Sequence, residues 1–373
     1  MSAPTQPLLS APAGRIATAR RLLRRDHFGA SLALARQVSL GNSVLAGAQT
    51  AVTAGLAVPV LHFSPWPELT GYGALGALVA LFARFAPRGR RLGLLWLCAL
   101  WQVLAVLSMS ALAALALPMG MQLLALALAC GLFYLLTASS DVGAPGALIF
   151  VFAAGAALHG EPALPEIAAR GAATAAVAGL ALLVCALTEA WRPLPSEARP
   201  FPSEPRRPLS HRLFAASRIC IATAIAGLAS HAFGADHPVW AAMGALAVLQ
   251  GAYLHVNLSR AVQRMAGTVV GSVLAWVILL QEPGLWEIVA VIMLLQLLTE
   301  VVIGFNYALG LIFVTPMALV MTSLATPGAA GAAMAPERVL DTLLGASVGL
   351  ATAILLSTLD DRRHLAGLGG AAA

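Results

Sequence analysis

A block of about six apolar segments occurs twice in this chain, in one order and at one offset, with no insertion between its landmarks. Pro67 recurs as Pro238, Gly73 as Gly244, Pro145 as Pro316, Pro165-Glu166 as Pro336-Glu337, Val177 as Val348 and Glu189 as Asp360, each pair 171 residues apart. Duplicated hydrophobic bundles are typical of secondary transporters, whose substrate sites lie between the copies near the middle of the membrane. An even helix number gives both copies the same orientation. They should therefore be parallel repeats, related by an axis along the membrane normal.

Hydrophobic residues make up 60% of the chain and charged residues 10%, too apolar a balance for a soluble domain. Charge-free runs at 38–61, 92–137 (broken near Pro118), 171–188, 219–235, 238–254 and 265–281 are each long enough for roughly 30 Å of hydrocarbon at about 1.5 Å per residue. Further spans fit 69–83, 145–158, 286–304, 306–325 and 338–358, which predicts an all-α membrane protein with about 12 transmembrane helices.

Every basic residue other than histidine is an arginine, and most lie in alternate loops: the N-terminal arm, 84–91, 192–212, 260–264 and 362–363. The positive-inside rule then places both termini in the cytoplasm. The net charge of +6 is chiefly an orientation signal, and without an aromatic-studded basic groove it points to no nucleic-acid partner. The expected organisation is a basic amphipathic arm (1–37), a first six-helix repeat (38–191), a Pro- and Arg-rich linker (192–212), a second repeat (213–358) and a cytoplasmic tail (359–373). No cleavable leader is read at the N-terminus.

Cys98, Cys130, Cys185 and Cys220 fall within predicted helices at no metal or disulfide spacing. Hydrolase, nucleotide and dinucleotide motifs are missing, so the sequence implies no enzyme, no metal and no cofactor.

Ionisable groups inside spans carry more information, because an unpaired one is costly and usually faces a cavity or partner. Glu300 falls about 21 Å along its helix from Trp286, with Arg218 as the expected partner and Arg264 as the alternative. Either a permanent ion pair or a site where Glu300 exchanges protons and Arg218 holds a carboxylate fits that placement. Arg338 and Asp341, three residues apart, can pair on one helical face, as a structural pair or as an outer gate where a passing anion competes for Arg338. Trp240, Tyr253, Asn306 and Tyr307 are interface anchors or substrate contacts. Gly267 and Gly271 make a small-residue face for a close neighbour, and Pro145 and Pro316 are expected to break helices at matched depth. In the first copy Gly47, Gly93, Ala129 and Ile167 stand where the second has Arg218, Arg264, Glu300 and Arg338. The second copy should thus do most of the polar work.

Four runs follow in order: His237-Pro-Val-Trp240 to Gln250, Arg260-Ala-Val-Gln-Arg264 to Gly271, Asn306-Tyr307 to Thr315-Pro316, and Arg338-Val-Leu-Asp341-Thr342-Leu-Leu-Gly345. Together they resemble the FUSC family of bacterial inner-membrane proteins, the fusaric-acid-resistance and aromatic-acid-exporter group, most strongly over 218–355. The resemblance implies a secondary transporter exporting small organic, aromatic carboxylic acids on the electrochemical gradient, with Arg218 and Arg264 receiving the carboxylate. It leaves a periplasmic adaptor protein open as a partner, and the large cytoplasmic domains of many members have no counterpart in this sequence. Two rivals remain at this level: a passive anion channel, since plant aluminium-activated malate transporters look similar in their membrane part, and a lipid-acting membrane enzyme or assembly subunit.

Overall fold

The computed structural model describes residues 14–22, 29, 31, 33–87, 89–195, 207–251, 253–325 and 331–370. They form helices and 3₁₀ turns with no strand among them. After an N-terminal helix α1 (Arg15–Leu22), the first half comprises α2 (Leu40–His62), α3 (Thr70–Ala77, continued by a 3₁₀ turn at Leu78–Leu81), α4 (Arg91–Ala113), α5 (Met119–Ala138), α6 (Leu148–Ala156) and α7 (Leu164–Leu187). The second comprises α8 (Leu209–Ala232), α9 (Val239–Leu249), α10 (Leu254–Leu280), α11 (Leu285–Val302), α12 (Tyr307–Ala325) and α13 (Met334–Leu355), followed by α14 (Leu359–Gly370).

Local chemistry sets several of these boundaries. Ser39 caps α2 by accepting the Asn42 N–H at 3.3 Å. Glu287 reaches back to the Gly284 N–H at 2.7 Å to close the start of α11. The repeated Pro-Glu dipeptide falls in the first turn of α7 and again in that of α13, where a missing amide proton costs nothing and a carboxylate faces the positive end of the helix dipole.

Among the described residues, nine helices are long and apolar enough to cross a bilayer. Three segments expected as spans, at 69–83, 145–158 and 238–254, instead contain short helices, α3, α6 and α9, of 8, 9 and 11 residues. Every residue of α3 and α9 is buried by its neighbours. Their uniform apolarity reports enclosure by protein, since hydrophobicity registers removal from water and not contact with lipid.

Corresponding helices of the two halves make corresponding contacts: α3 packs on α7 as α9 packs on α13, and α4 on α6 and α7 as α10 on α12 and α13. The junction is reciprocal as well. Helix α2 lies against α11 of the other half, and α8 against α5. Close approach depends on glycine at two contacts. A β-carbon on Gly271 would come within 2.8 Å of the Leu311 carbonyl oxygen, so the expected small-residue face is the α10–α12 seam. A β-carbon on Gly345 would run into the Ala241 carbonyl, so α13 can lie on α9 only without a side chain there.

Several expectations change. Pro316 breaks nothing; α12 runs through it, whereas Pro145 precedes a real gap before α6. Leu22 of the N-terminal arm is fully buried, with α1 packed on α10 and α13, so this part of the arm docks on protein. Leu23, Arg24, Arg25 and Phe28 lie outside the described residues. The linker's Arg192 is buried and donates to the Ala86 carbonyl at 2.7 Å, so the chain leaves the first half pinned to it. The tail residues Leu359–Gly370 form a helix against α10.

Candidate anion site

Two buried guanidinium groups meet in the second half. Arg264, on α10, is 1% exposed; its Nη1 donates to the Tyr307 hydroxyl at 3.1 Å, and its Nε has no partner. Arg338, on α13, is 4% exposed and lies 5.1 Å from the centre of the Trp240 ring, with Nε and Nη1 both unpartnered. The like charge of Arg264 and the opposite charge of Asp341 both act on Arg338, as does the Tyr307 hydroxyl. The arginine ion pairs among the described residues involve Arg84, Arg90, Arg91, Arg192, Arg218 and Arg363, leaving these two without a carboxylate. Two buried like charges with idle donors are unfavourable alone and are stabilised by an anion between them.

The expected Arg338–Asp341 ion pair does not form. Asp341 takes the Ser230 hydroxyl at 2.6 Å on Oδ1 and leaves Oδ2 unpartnered, while Arg338 is drawn onto Trp240. Sharing a helical face made the pair available, but α8 and α9 each supply a competing partner. Trp240 is occupied too: the His237 ring lies parallel to it at 4.2 Å, and Arg338 lies over it. His237 is in turn held by Glu337, which accepts its backbone N–H at 2.6 Å and contacts Nδ1 at 2.8 Å.

Beside this stack lies a cavity of about 150 Å³ at the junction of the halves, lined by Phe152 and His159 from the first and by His237, Trp240 and Thr322 from the second. His159 sits in the loop after α6, where burial lowers its pKa below the ordinary imidazole value, assisted by the charges of His237 and Arg170. Its Nδ1 lies 3.2 Å from the Ala156 carbonyl.

The structure separates the remaining candidates. Glu300 pairs with Arg84 at 2.5 Å, not with Arg218 or Arg264, because α11 faces α2 of the other half and Arg84 follows α3 on that side. Gly47 makes room: a β-carbon there would sit 3.1 Å from Glu300 Cβ. Arg218 instead reaches Asp361 of α14 at 3.4 Å. Tyr253 stacks on His364 at 4.0 Å, under Arg207. Asn306 donates to the Ala33 carbonyl at 3.1 Å and accepts the Ala308 N–H at 2.8 Å, a tie for the N-terminal strap and a turn at the start of α12.

The polar work is also less one-sided than the sequence comparison implies. Arg84 (9% exposed), Arg91 (2%) and Arg192 (5%) are all buried in or against the first half. Arg91 and Arg192 converge on Glu189 at 3.1 and 2.7 Å. Sequence reasoning had read Arg84 and Arg91 only as loop charges. Their signal lay in position, since each directly adjoins an apolar helix that could fold over it. Among the described residues, no group of three or more His, Cys, Asp or Glu is arranged to hold a metal ion.

Residues 222–352, which hold Arg264, Tyr307, Arg338 and Asp341, match the family described as fusaric acid resistance protein-like. Over this segment the chain is similar to that family. The chain is also similar to the "Uncharacterized membrane protein YvaC" of Bacillus subtilis (strain 168), 40% identical over 125 residues. That alignment covers 34% of this chain and 20% of the Bacillus protein, so the chain spans about a fifth of its relative's length. No solved structure matches significantly. With nine apolar helices among the described residues and these similarities, the chain is a helical, multi-pass membrane protein.

Proposed function

We propose that the chain is a secondary transporter of the bacterial inner membrane that exports small organic, chiefly aromatic, carboxylic acids on the electrochemical gradient. The observation that carries this reading is the pair Arg264 and Arg338, both buried, with three idle N–H-bearing nitrogens and no ion pair to a carboxylate among the described residues. A carboxylate there gains charge-assisted hydrogen bonds and relieves the repulsion between the two cations. The Tyr307 hydroxyl adds a third polar contact, and the junction cavity beside Trp240 gives the site an approach.

Twelve helical segments in two parallel repeats, with both termini cytoplasmic, complete the proposal. The reciprocal contacts α2–α11 and α5–α8 support a twofold relation between the halves, and the arginine-rich loops support the orientation. Glu300 couples transport to protons by holding or releasing Arg84 across the junction.

Benzoate flux in inside-out vesicles, with and without a pH gradient, tests the reading. Arg264→Gln and Arg338→Gln should each reduce flux at least about tenfold, the worth of a lost charge-assisted hydrogen bond, while the protein still assembles. Wild-type flux in both would overturn the assignment, and steady single-channel current would move the protein to the class of passive pores.

A further inference from the structure

The two halves present equivalent seams where the first helix of one meets the fourth of the other, and their charges differ. In the α2–α11 seam, Glu300 projects from the fourth helix and neutralises Arg84, with Gly47 on the first helix leaving room. In the α8–α5 seam, at the same offset, the acid is replaced by Ala129 and the glycine by Arg218. At its end Arg212 bonds Ser139 just past α5, Arg218 reaches Asp361, and the charges of Arg207, Arg212, Arg218 and Arg260 all act on Tyr134 of α5.

Their contacts hold them in place without neutralising them. Arg212 donates to the Ser139 hydroxyl and the Arg207 carbonyl, Arg260 donates to the Ala247 carbonyl at 3.3 Å, and Arg207 lies 4.7 Å over the Tyr253 ring. One carboxylate reaches the cluster, Asp361, whose contact with Arg218 is 3.4 Å, long for a charge-assisted hydrogen bond. The same Asp361 Oδ2 also accepts the Thr358 N–H at 3.1 Å, closing the first turn of α14. Arg218 is 8% exposed, and its Nε is buried without a partner. Among the described residues, four guanidinium groups thus share one divided carboxylate, with Arg218 the buried one.

We propose that this arginine cluster binds a phosphate group, carried either by an anionic lipid headgroup or by free phosphate, which displaces Asp361 from Arg218. Phosphate suits the cluster better than a carboxylate does. It carries more charge and more acceptor oxygens, and it accepts from several guanidinium groups at once. The proposal rests on Arg207, Arg212, Arg218 and Arg260 and not on Arg264 or Arg338, and it stands whether or not the chain transports organic acids. Because Asp361 belongs to α14, occupancy also frees the tail helix from α8.

The test uses the full chain in nanodiscs. In one arm, inorganic phosphate is titrated into protein in phosphatidylcholine discs and followed by calorimetry. In the other, discs containing phosphatidylglycerol in phosphate-free buffer are assayed for retained lipid by native mass spectrometry. Saturable binding in the first arm identifies free phosphate as the ligand, and selective lipid retention in the second identifies the headgroup. Asp361→Asn removes the internal competitor and should tighten whichever binding occurs about tenfold, whereas Arg212→Gln with Arg260→Gln should weaken it by about the same factor. Arg90→Gln, an exposed arginine outside the cluster, should change neither. Binding in neither arm, or binding indifferent to the Arg212 and Arg260 substitutions in correctly assembled protein, overturns the proposal.

Discussion

Arg84 Nη1 and Glu300 Oε2 lie 2.5 Å apart, joining the loop after α3 in the first half to α11 of the second. Both are nearly excluded from solvent, at 10% and 4% side-chain exposure. Removing one partner strands the other, which costs about 3–5 kcal/mol for a buried pair. Arg84→Ala should therefore lower thermal stability markedly, and adding Glu300→Gln should recover most of the loss. A double variant no more stable than Arg84→Ala alone would show that the pair does not tie the halves together. In vesicles, Glu300→Gln alone should flatten the pH dependence of anion flux; an unchanged profile would remove Glu300 as the coupling group.

The α9–α13 contact depends on Gly345. A leucine there has nowhere to go but into the Ala241 backbone, and overpacking of this kind costs about 1–3 kcal/mol or more. Gly345→Leu should reduce the unfolding temperature, while Gly179→Leu, at a position with open space around it, should leave it nearly unchanged. Equal effects would mean that the two helices are not in backbone contact.

His159 predicts a pH dependence of stability. Burial lowers its pKa in the folded protein, so below the ordinary value near 6.5 the unfolded chain binds the proton more readily. Its contribution is fully present above that value and is lost as pH falls through it toward the folded pKa. His159→Gln should flatten the fall in unfolding temperature between about pH 7 and pH 5. A slope unaltered by this substitution would assign the titration to another group.

Glu189 gives a second window. Burial alone would raise its pKa, but hydrogen bonds and charge from Arg192 and Arg91 outweigh that and hold it below the usual carboxylate range. Its stabilising effect is present above the model-compound value of 4.5 and disappears as pH drops through the folded pKa. Glu189→Gln should lower stability at neutral pH and converge on wild type in acid, as chemical denaturation at the two pH values would report. A deficit that persists at low pH would place the cost in packing.

Several site residues were legible in the sequence. Arg264 and Arg338 stand out as arginines on apolar helices and Tyr307 as an interface anchor or substrate contact; in the structure Arg264 donates to the Tyr307 hydroxyl and its charge acts on Arg338. Asp341 stood out too, but its partner was misjudged: spacing along one helix shows which side chains can meet, and cannot weigh what neighbouring helices offer. Glu300 was recognised as significant and assigned to the wrong arginine for the same reason, since depth along a helix axis constrains one coordinate and leaves rotation and neighbour unknown.

The sequence by itself determined that this chain lives among apolar surroundings, repeats one plan twice, and starts its helices at particular Pro-Glu, Ser and Gly signals. Those are consequences of composition and local backbone chemistry, which act over a few residues. Only the tertiary structure decided that α3 and α9 are enclosed by protein, that α2 and α8 each cross to the opposite half, and hence that Glu300 meets Arg84 while Arg218 meets Asp361. An apolar helix is equally content against lipid or protein. Its neighbours are set by shape and by where glycine permits close contact, and a periodic pattern does not encode either choice.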